Sequence, residues 1–276
     1  MPSKERLDKL IVLRGLARSR DLAKAYIMEG RVFVDGKKMT KVGMSVSDKS
    51  EISLKGEELP YVSRGGLKLE AAMKYFNVNV RNKIIMDVGC STGGFTDCLL
   101  KMGAKKVYCI DVGYGQLAWP LRNDPRVVVM ERTNVRYLER IVREHIERQN
   151  HRGSAETTRM KSRGMDELVK GIIDMAAVDV SFISLTKVIP ALYEFLKESA
   201  EMVLLVKPQF EVGKGEVGKG GIVREEEKRL SAVQRVKADL EHIGLMTAGV
   251  FQSPIIGHKG NIEYFLYMKK GEYGRR

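Results

Sequence analysis

Short apolar runs limit the folds that this chain can adopt, and residues 202–206, MVLLV, are the clearest of them. Such a run predicts a strand buried on both faces, because a strand with one face in water alternates apolar and polar residues. Strands of that kind belong to parallel sheets that helices cover on both sides. Lys207 and Pro208 follow the run at once, so an ammonium group stands where this strand leaves the core.

Similar runs, separated by helical patterns, continue along the chain. We expect strands near residues 84–88, 107–111, 127–131, 175–180, 202–206, 246–252 and 262–268, with helices between most of them. This alternation predicts an α/β fold with an open, mostly parallel sheet. Ligands of such sheets bind beyond the carboxyl ends of the strands, so the functional residues should lie there.

The charge of the chain indicates the class of its partner. The 276 residues carry a net charge of +13 at pH 7, within an ordinary globular composition of 43% apolar and 30% charged residues. So large a positive excess favours a polyanion, most often nucleic acid, over a protein that is basic only for solubility.

Cysteine usage and hydropathy indicate where the protein works. The three cysteines, Cys90, Cys98 and Cys109, form neither a disulfide framework nor a CxxC metal motif, which favours a reducing cytoplasm and no metal site. The start, MPSKERLDKL, lacks the apolar core of a signal peptide, and no window approaches the ~20 apolar residues that span a bilayer. We expect a cytoplasmic protein without membrane contacts.

Residues 1–58 differ in pattern from the rest and predict a small domain of two helices and a hairpin. Gly15 and Gly30 end two amphipathic helical patterns, Ser19 has the position of an N-cap, and Asp35-Gly36 is a strong hairpin signal. Basic residues near the helices and the hairpin suit phosphate contacts. These candidate contacts are Arg6, Arg18, Arg20, Lys24, Lys37, Lys38 and Lys41.

The same region resembles a known RNA-binding module. The segment RLDKLIVLRGLARSRDLAKAYIMEGRVFVDGKK is similar to the alpha-L fold of a ribosomal protein, pseudouridine synthases and tyrosyl-tRNA synthetases. The resemblance implies that the seven basic residues bind RNA. A generic capping domain is the alternative.

A glycine-rich turn follows the first strand of the predicted sheet, in residues 84–100, IIMDVGCSTGGFTDCLL. Its spacing, G-x-x-x-G-G, departs from the G-x-G-x-x-G of dinucleotide sites. Asp87 would repel a pyrophosphate but suits a cationic amino-acid group, and Asp111, 22 residues after Gly89, lies where an acid can hold ribose hydroxyls. These features favour S-adenosylmethionine over NAD.

A second glycine-rich stretch, GKGEVGKG at residues 213–220, approaches the P-loop pattern. It lacks the Ser or Thr that would hold magnesium, and it begins seven residues after the predicted strand ends. We therefore expect a flexible basic loop there and not a nucleoside triphosphate site.

Four charged residues are predicted to meet at one edge of the sheet. Asp179 and Lys207 end two strands, and Glu263 opens the last strand, whose start lies at the same edge if it runs antiparallel. Lys68 is expected in the first turn of a helix just before the sheet. Each alone is most often a surface charge, but two carboxylates and two lysines beside a cofactor loop predict a catalytic site.

This set resembles the Lys-Asp-Lys-Glu tetrad of FtsJ-type ribose 2′-O-methyltransferases. The phrases SRGGLKL, DVGCSTGGFTDCLL, ERTNVR, DVSFISL, VKPQFE, VGKGGIVR and GHKGNIEYF are similar to those of the TlyA family, which joins an alpha-L domain to such a methyltransferase. The resemblance implies a Rossmann-like class I methyltransferase, with a seven-stranded sheet whose last strand is antiparallel. It also implies S-adenosylmethionine as cofactor, and ribosomal RNA or ribosomal subunits as partner, with cytidine as the target.

The resemblance divides the chain and assigns its residues. It implies an RNA-binding domain at 1–58, a linker at 59–66 and a methyltransferase domain at 67–276. The implied catalytic residues are Lys68, Asp179, Lys207 and Glu263. The implied cofactor-binding residues are Asp87, Gly89, Cys90, Ser91, Gly93, Gly94, Phe95, Asp111, Asn134 and Asp179.

Some alternatives stay open on the sequence alone. Lys207 could act as a general base, which needs its neutral form, or as an ammonium group that stabilises a developing alkoxide. Residues 141–171 form a charged segment longer than the family usually has, either a solvated insertion or an added RNA contact. A non-catalytic RNA-binding or ribosome-assembly protein is the alternative function, and a pore-forming haemolysin is a third that the missing apolar spans oppose.

Overall fold

The computed structural model describes residues 3–17, 19–28, 30–55, 59–151, 167–213 and 215–271. The predicted Arg18 and residues 152–166, the middle of the charged segment, lie outside this range.

The N-terminal region forms the two predicted helices and the hairpin. The helices are α1, Leu7–Leu13, and α2, Arg20–Met28, and the Ser19 hydroxyl accepts a hydrogen bond from the Leu22 amide at 3.2 Å as an N-cap. The hairpin turns at Asp35 and Gly36, both at positive φ (48° and 75°), as a tight two-residue turn requires.

The sequence did not predict three further short strands of this domain. The strands of the region are β1 Lys4–Arg6, β2 Val32–Val34, β3 Lys37–Met39, β4 Ser45–Ser47 and β5 Ile52–Leu54. They form a β1-β4 pair and a β3-β2-β5 sheet, both antiparallel. Strands of three residues carry too little periodicity to be recognised from the sequence.

A seven-stranded sheet forms the body of the protein and confirms the predicted fold. Its strands are β6 Ile84–Val88, β7 Lys106–Ile110, β8 Val127–Met130, β9 Ile173–Val178, β10 Leu196–Val206, β11 Leu245–Gln252 and β12 Tyr264–Lys270. The order is β11-β12-β10-β9-β6-β7-β8, and β12 runs antiparallel to both of its neighbours. The other pairs are parallel.

Several strand boundaries differ from the prediction by one or more residues, and two of these differences are informative. β10 begins at Leu196 and not near residue 202, because its polar first half is held in the sheet by ion pairs of Lys197 with Asp174 and of Glu201 with Lys83. β12 begins at Tyr264, so Glu263 lies one residue before the last strand.

Helices cover both faces of the sheet. They are α3 Arg64–Phe76, α4 Gly94–Lys101, α5 Trp119–Arg122, α6 Leu138–His151, α7 Pro208–Glu211 and α8 Glu226–His242. Along β6, Ile85 belongs to the apolar layer with Leu69 of α3 and Leu99 of α4, whereas Met86 belongs to the layer with Val233 of α8. Because both faces are buried, the strands are continuous apolar runs.

The N-terminal region packs near the carboxyl edge of this sheet. Leu59 belongs to the apolar core of the first region, and the half-buried Leu67 of α3 contacts the cores of both. The charged segment is helical up to residue 151, and Leu168 after it is buried in the sheet's core.

Candidate active site

The glycine-rich turn lies at the carboxyl end of β6, where it has little space. Gly89 has φ +83°, and a Cβ there would lie 2.2 Å from the carbonyl oxygen of Asp179. A Cβ on Gly94 would lie 2.2 Å from the Ser63 hydroxyl oxygen. The glycines therefore let the turn approach the end of β9 on one side and the start of α3 on the other.

Asp87 lies beneath this turn with its carboxylate wholly buried. The Thr96 hydroxyl donates to Oδ2 at 2.6 Å, and no described residue donates to Oδ1. Burial raises the pKa of Asp87 to about 7, against the hydrogen bond from Thr96, and the Asp179 carboxylate adds to the increase. A buried carboxylate with an oxygen left unpaired is suited to stabilise a nearby positive group.

Asp111 follows β7 with both carboxylate oxygens fixed by backbone amides. The Ser91 amide donates to Oδ2 at 2.8 Å and the Gly113 amide donates to Oδ1 at 2.7 Å. The Thr133 amide donates to the Asp111 carbonyl at 2.9 Å, which brings Asn134 to this end of the sheet. The partly exposed Asp111 is thus oriented to accept further hydrogen bonds from a ligand, as ribose hydroxyls would provide.

Lys68 and Glu263 form the more buried of two lysine–carboxylate pairs at this edge. Lys68 lies in the second turn of α3, one turn later than predicted, and its Nζ donates to Glu263 Oε2 at 2.6 Å. The two side chains are 12% and 2% exposed. A Cβ on Gly257 would lie 2.1 Å from Glu263 Oε1, so the backbone closes over the carboxylate.

Lys207 and Asp179 form the second pair. Lys207 Nζ lies 2.5 Å from Asp179 Oδ1, as an ion pair not aligned as a hydrogen bond, and donates to the Ser181 hydroxyl oxygen at 2.9 Å. The lysine is 12% exposed and the aspartate 22%, so this carboxylate faces the solvent more than Glu263 does.

The strand register brings the two pairs together. Val206 is paired with Tyr264 in the β10-β12 ladder, which places Lys207 and Glu263 next to each other where both strands meet the edge. Asp179 follows β9 on the other side of β10. The structure thus assembles all four predicted catalytic side chains at one edge, beside the glycine-rich turn.

A cleft of about 480 Å³ opens over this edge. Its walls include Lys68, Asp179 and the turn residues Gly89, Cys90, Ser91, Gly94 and Phe95. Lys259, from the connection between β11 and β12, lines another side. The N-terminal region provides a further wall, which sequence reasoning did not predict, through Met28, Gly30, Lys38 and Thr40.

The other predicted RNA-binding residues have different environments. Arg6 Nε and Arg20 Nη2 donate to Asp8 at 2.9 and 2.8 Å, so the two arginines share one buried acid that sequence reasoning did not notice. Lys37 and Lys41 are exposed on the surface. Lys24 lies in α2.

Sequence reasoning also missed an exposed aromatic residue beside the site. Phe182 is 90% exposed, with φ 64°, three residues after Asp179. Its ring centroid lies 5.0 Å from that of Phe210, a residue of α7, the short helix that begins directly after Lys207. An exposed phenylalanine in a strained backbone conformation costs stability, which makes Phe182 a candidate functional residue, and the phrase DVSFISL already contained it.

Neither a metal centre nor a membrane span is found in the described ranges. Within them, no cluster of three His, Cys, Asp or Glu residues is placed to hold a metal ion. None of the helices there has the length and hydropathy to cross a bilayer.

Comparison with known proteins agrees with this architecture. Residues 61–270 match the family model of the FtsJ-like methyltransferases, and residues 5–52 match the S4 domain. The chain is 44% identical over 265 residues to "Putative rRNA methyltransferase YqxC" of Bacillus subtilis, covering 96% of this chain and 85% of the relative.

Two further relatives cover nearly all of the chain. The 16S/23S rRNA (cytidine-2′-O)-methyltransferase TlyA of Mycobacterium tuberculosis is 42% identical over 270 residues, covering 98% of this chain and 91% of the relative. The solved structure of "Putative hemolysin from Streptococcus thermophilus" has a TM-score of 0.69 at 42% identity, covering 99% of this chain and 90% of that one.

Proposed function

Because the chain belongs to the FtsJ-like methyltransferases, in the TlyA family that carries an S4 domain, we propose that it methylates a ribose 2′-hydroxyl of ribosomal RNA from S-adenosylmethionine. The target we propose is cytidine, as in the M. tuberculosis relative. The observation that carries this proposal is the meeting of two lysine–carboxylate pairs, Lys68–Glu263 and Lys207–Asp179, beside the glycine-rich turn.

The residues around the turn fit S-adenosylmethionine. The unpaired oxygen of Asp87 suits a positively charged ligand, and the oriented carboxylate of Asp111 suits ribose hydroxyls. Cys90 and Phe95 offer apolar surface in the cleft, and Asn134 offers an amide at the same end of the sheet. When bound, the cofactor supplies an electrophilic methyl carbon on a sulfonium.

Lys207 orients the ribose 2′-hydroxyl and stabilises the negative charge that develops on its oxygen. As the ammonium partner of Asp179, Lys207 donates to the 2′-oxygen as that oxygen gains negative character. The hydroxyl loses its proton once the new carbon–oxygen bond forms, and the more exposed Asp179 is placed to receive it. Ser181 fixes the ammonium group from the other side.

Lys68 and Glu263 position the nucleotide. Glu263 is sealed from solvent and holds Lys68, which lines the cleft, at a fixed place on its wall. A lysine held in this way loses little conformational entropy when it binds the substrate.

Phe182 provides an apolar surface for the base. Proteins that recognise unpaired RNA nucleotides stack the bases on aromatic side chains, and the Phe182–Phe210 pair lies next to Asp179 and Lys207. We expect Phe182→Ala to raise the KM for RNA by about fivefold, since stacking contributes roughly 1–3 kcal/mol per base.

The decisive experiment uses methyl-labelled S-adenosylmethionine and purified ribosomal subunits. Digestion in alkali leaves intact the linkage beside a 2′-O-methyl ribose, so we expect label in alkali-resistant dinucleotides. Lys207→Ala should abolish it. Lys83→Ala is the matched control, since Lys83 forms a partly buried ion pair with Glu201 away from the cleft. Label in single nucleotides would mean base methylation and would contradict the proposal.

A further inference from the structure

One wall of the cleft is formed by the S4 domain. Gly30 and Lys38 of the S4 domain line the same space as Lys68, Asp179 and the glycine-rich turn. Residues of the S4 domain therefore line the cleft beside which the proposed methyl transfer takes place.

The charges in this cleft are unbalanced. Lys68 is neutralised by Glu263 and Asp179 by Lys207. Within the described residues, neither Lys38 nor Lys259 makes a hydrogen bond or an ion pair, and the two come from different domains. Two unneutralised ammonium groups in one cleft attract an anion.

The path of Lys38 to the cleft passes over a glycine. Gly30, two residues after the end of α2, has φ +67°, and a Cβ there would lie 2.0 Å from Lys38 Cε and 2.7 Å from its Nζ. The lysine therefore runs across the bare backbone of Gly30. A Cβ at position 30 would therefore require the end of the Lys38 side chain to move from this path.

We propose that Lys38 and Lys259 form a clamp, shared by the two domains, for the RNA backbone phosphates next to the target ribose. The S4 domain then takes part in positioning the nucleotide for methyl transfer, in addition to docking. This inference rests on the proposed function, because a ribose whose 2′-hydroxyl meets Lys207 carries a phosphate on the adjacent carbon. The carboxylate of S-adenosylmethionine is the other anion that this clamp could hold.

The test compares neighbouring lysines. Lys38→Gln and Lys259→Gln remove one clamp charge each, and Lys37→Gln removes the charge of an exposed neighbour on the same strand that does not line the cleft. The single-turnover rate of methylation is measured at saturating RNA. The affinity for RNA is measured at several salt concentrations, and the affinity for S-adenosylmethionine is measured separately. We expect each clamp variant to lower the single-turnover rate about tenfold and the salt slope by about 1, whereas Lys37→Gln should change RNA affinity and its salt dependence but not the rate.

A second variant displaces Lys38 without removing its charge. Gly30→Ala should lower the single-turnover rate as Lys38→Gln does. The double variant Gly30→Ala/Lys38→Gln should be no slower than either single variant. Gly15→Ala is the matched control, because Gly15 has φ +69° in the same domain and a Cβ there would meet no atom within 4 Å. Both substitutions impose similar backbone strain, so a difference in rate between the two variants would not come from lost stability.

Two results would overturn the inference. If Lys38→Gln behaves like Lys37→Gln, with an unchanged rate at saturating RNA, Lys38 is an ordinary docking charge. If the clamp variants weaken S-adenosylmethionine binding and leave the salt slope for RNA unchanged, the anion is the cofactor's carboxylate. A wild-type protein that methylates neither subunit overturns the proposed function instead, and the salt slopes, which need no turnover, still decide whether the clamp binds RNA.

Discussion

Lysines of the S4 domain and lysines of the sheet edge show how differently one residue type can be used. Lys37 and Lys41 are exposed, and within the described chain neither forms an ion pair. Lys68 and Lys207 are largely buried and each is held by a carboxylate. A charge in water acts at a distance and is screened by salt, whereas a charge inside the protein acts through its position.

Two buried aspartates repeat this contrast. Burial by itself would raise the pKa of Asp8, but hydrogen bonds from Arg6 and Arg20 outweigh it and lower the value to about 2. Those arginines are 47% and 52% exposed, so the acid is covered by its partners and lies close to solvent. Among the described residues no arginine or lysine pairs with Asp87, and its pKa is raised to about 7. The S4 domain thus neutralises Asp8 internally, whereas the methyltransferase domain leaves Asp87 without such a partner in the part that the structure describes.

The largest effect should follow a change at Lys207. We expect Lys207→Met to lower kcat about 10³-fold, the size found when a group that stabilises transition-state charge is removed. The loss should not depend on salt. Lys207→Arg keeps the charge and should retain measurable activity. An arginine variant as inactive as the methionine variant would show that Lys207 acts as a general base and not as an ammonium group.

The next effect concerns stability. Glu263→Gln leaves the ammonium group of Lys68 without a counter-charge in a buried place, so the free energy of unfolding should fall by about 3 kcal/mol in urea denaturation. Glu70→Gln is the control, because Lys74 and Glu70 form a pair of the same 2.6 Å length with side chains 72% and 28% exposed. Its loss should stay within about 0.5 kcal/mol. Equal losses of unfolding free energy in the two variants would mean that burial does not strengthen the Lys68–Glu263 pair over the Lys74–Glu70 pair.

A pH series separates the two aspartates. The pKa of Asp87 is raised above its unfolded value, so the folded state keeps a proton that the unfolded chain has lost, and stability should fall as pH rises from about 4 to about 7. Asp87→Asn should remove that fall. The pKa of Asp8 is lowered, so its contribution is present above about pH 4 and is lost as pH falls toward 2. Denaturation midpoints of the two asparagine variants, measured across this range, test both signs.

The smallest effect belongs to the exposed lysines. Lys37→Gln and Lys41→Gln should each weaken RNA binding by about two- to threefold at low salt, and the difference from wild type should shrink as salt is raised. Filter binding at several salt concentrations measures this. A loss that persists at high salt would mean that these lysines make fixed contacts, as Lys68 and Lys207 do.

The sequence predicted the sheet because both of its faces are buried. Continuous apolar runs marked the strands, and charged residues at their ends marked the edge where Asp179, Lys207 and Glu263 meet. The polar first half of β10 was missed, since the ion pairs of Lys197 and Glu201 hold it in the sheet and have no periodic signal.

The wall formed by Lys38 and Gly30 could not be predicted in the same way. It depends on how two domains pack, which no local pattern encodes. The acid shared by Arg6 and Arg20 was hidden for a related reason: Asp8 and Arg20 are twelve residues apart and meet only because α1 and α2 pack together. Sequence patterns identify residues at the ends of elements more readily than residues that meet across domains.

The unpaired oxygen of Asp87 has a consequence for the order of events in a catalytic cycle. A cation bound nearby would favour the ionised carboxylate, so cofactor binding should release a proton near neutral pH, and the measured heat should depend on the buffer that takes it up. An ammonium group on the amino-acid part of the cofactor would be unchanged by methyl transfer, so Asp87 should stay ionised until the spent cofactor leaves. Asp87 would thus report whether the site is occupied, and the proton should return when the site empties.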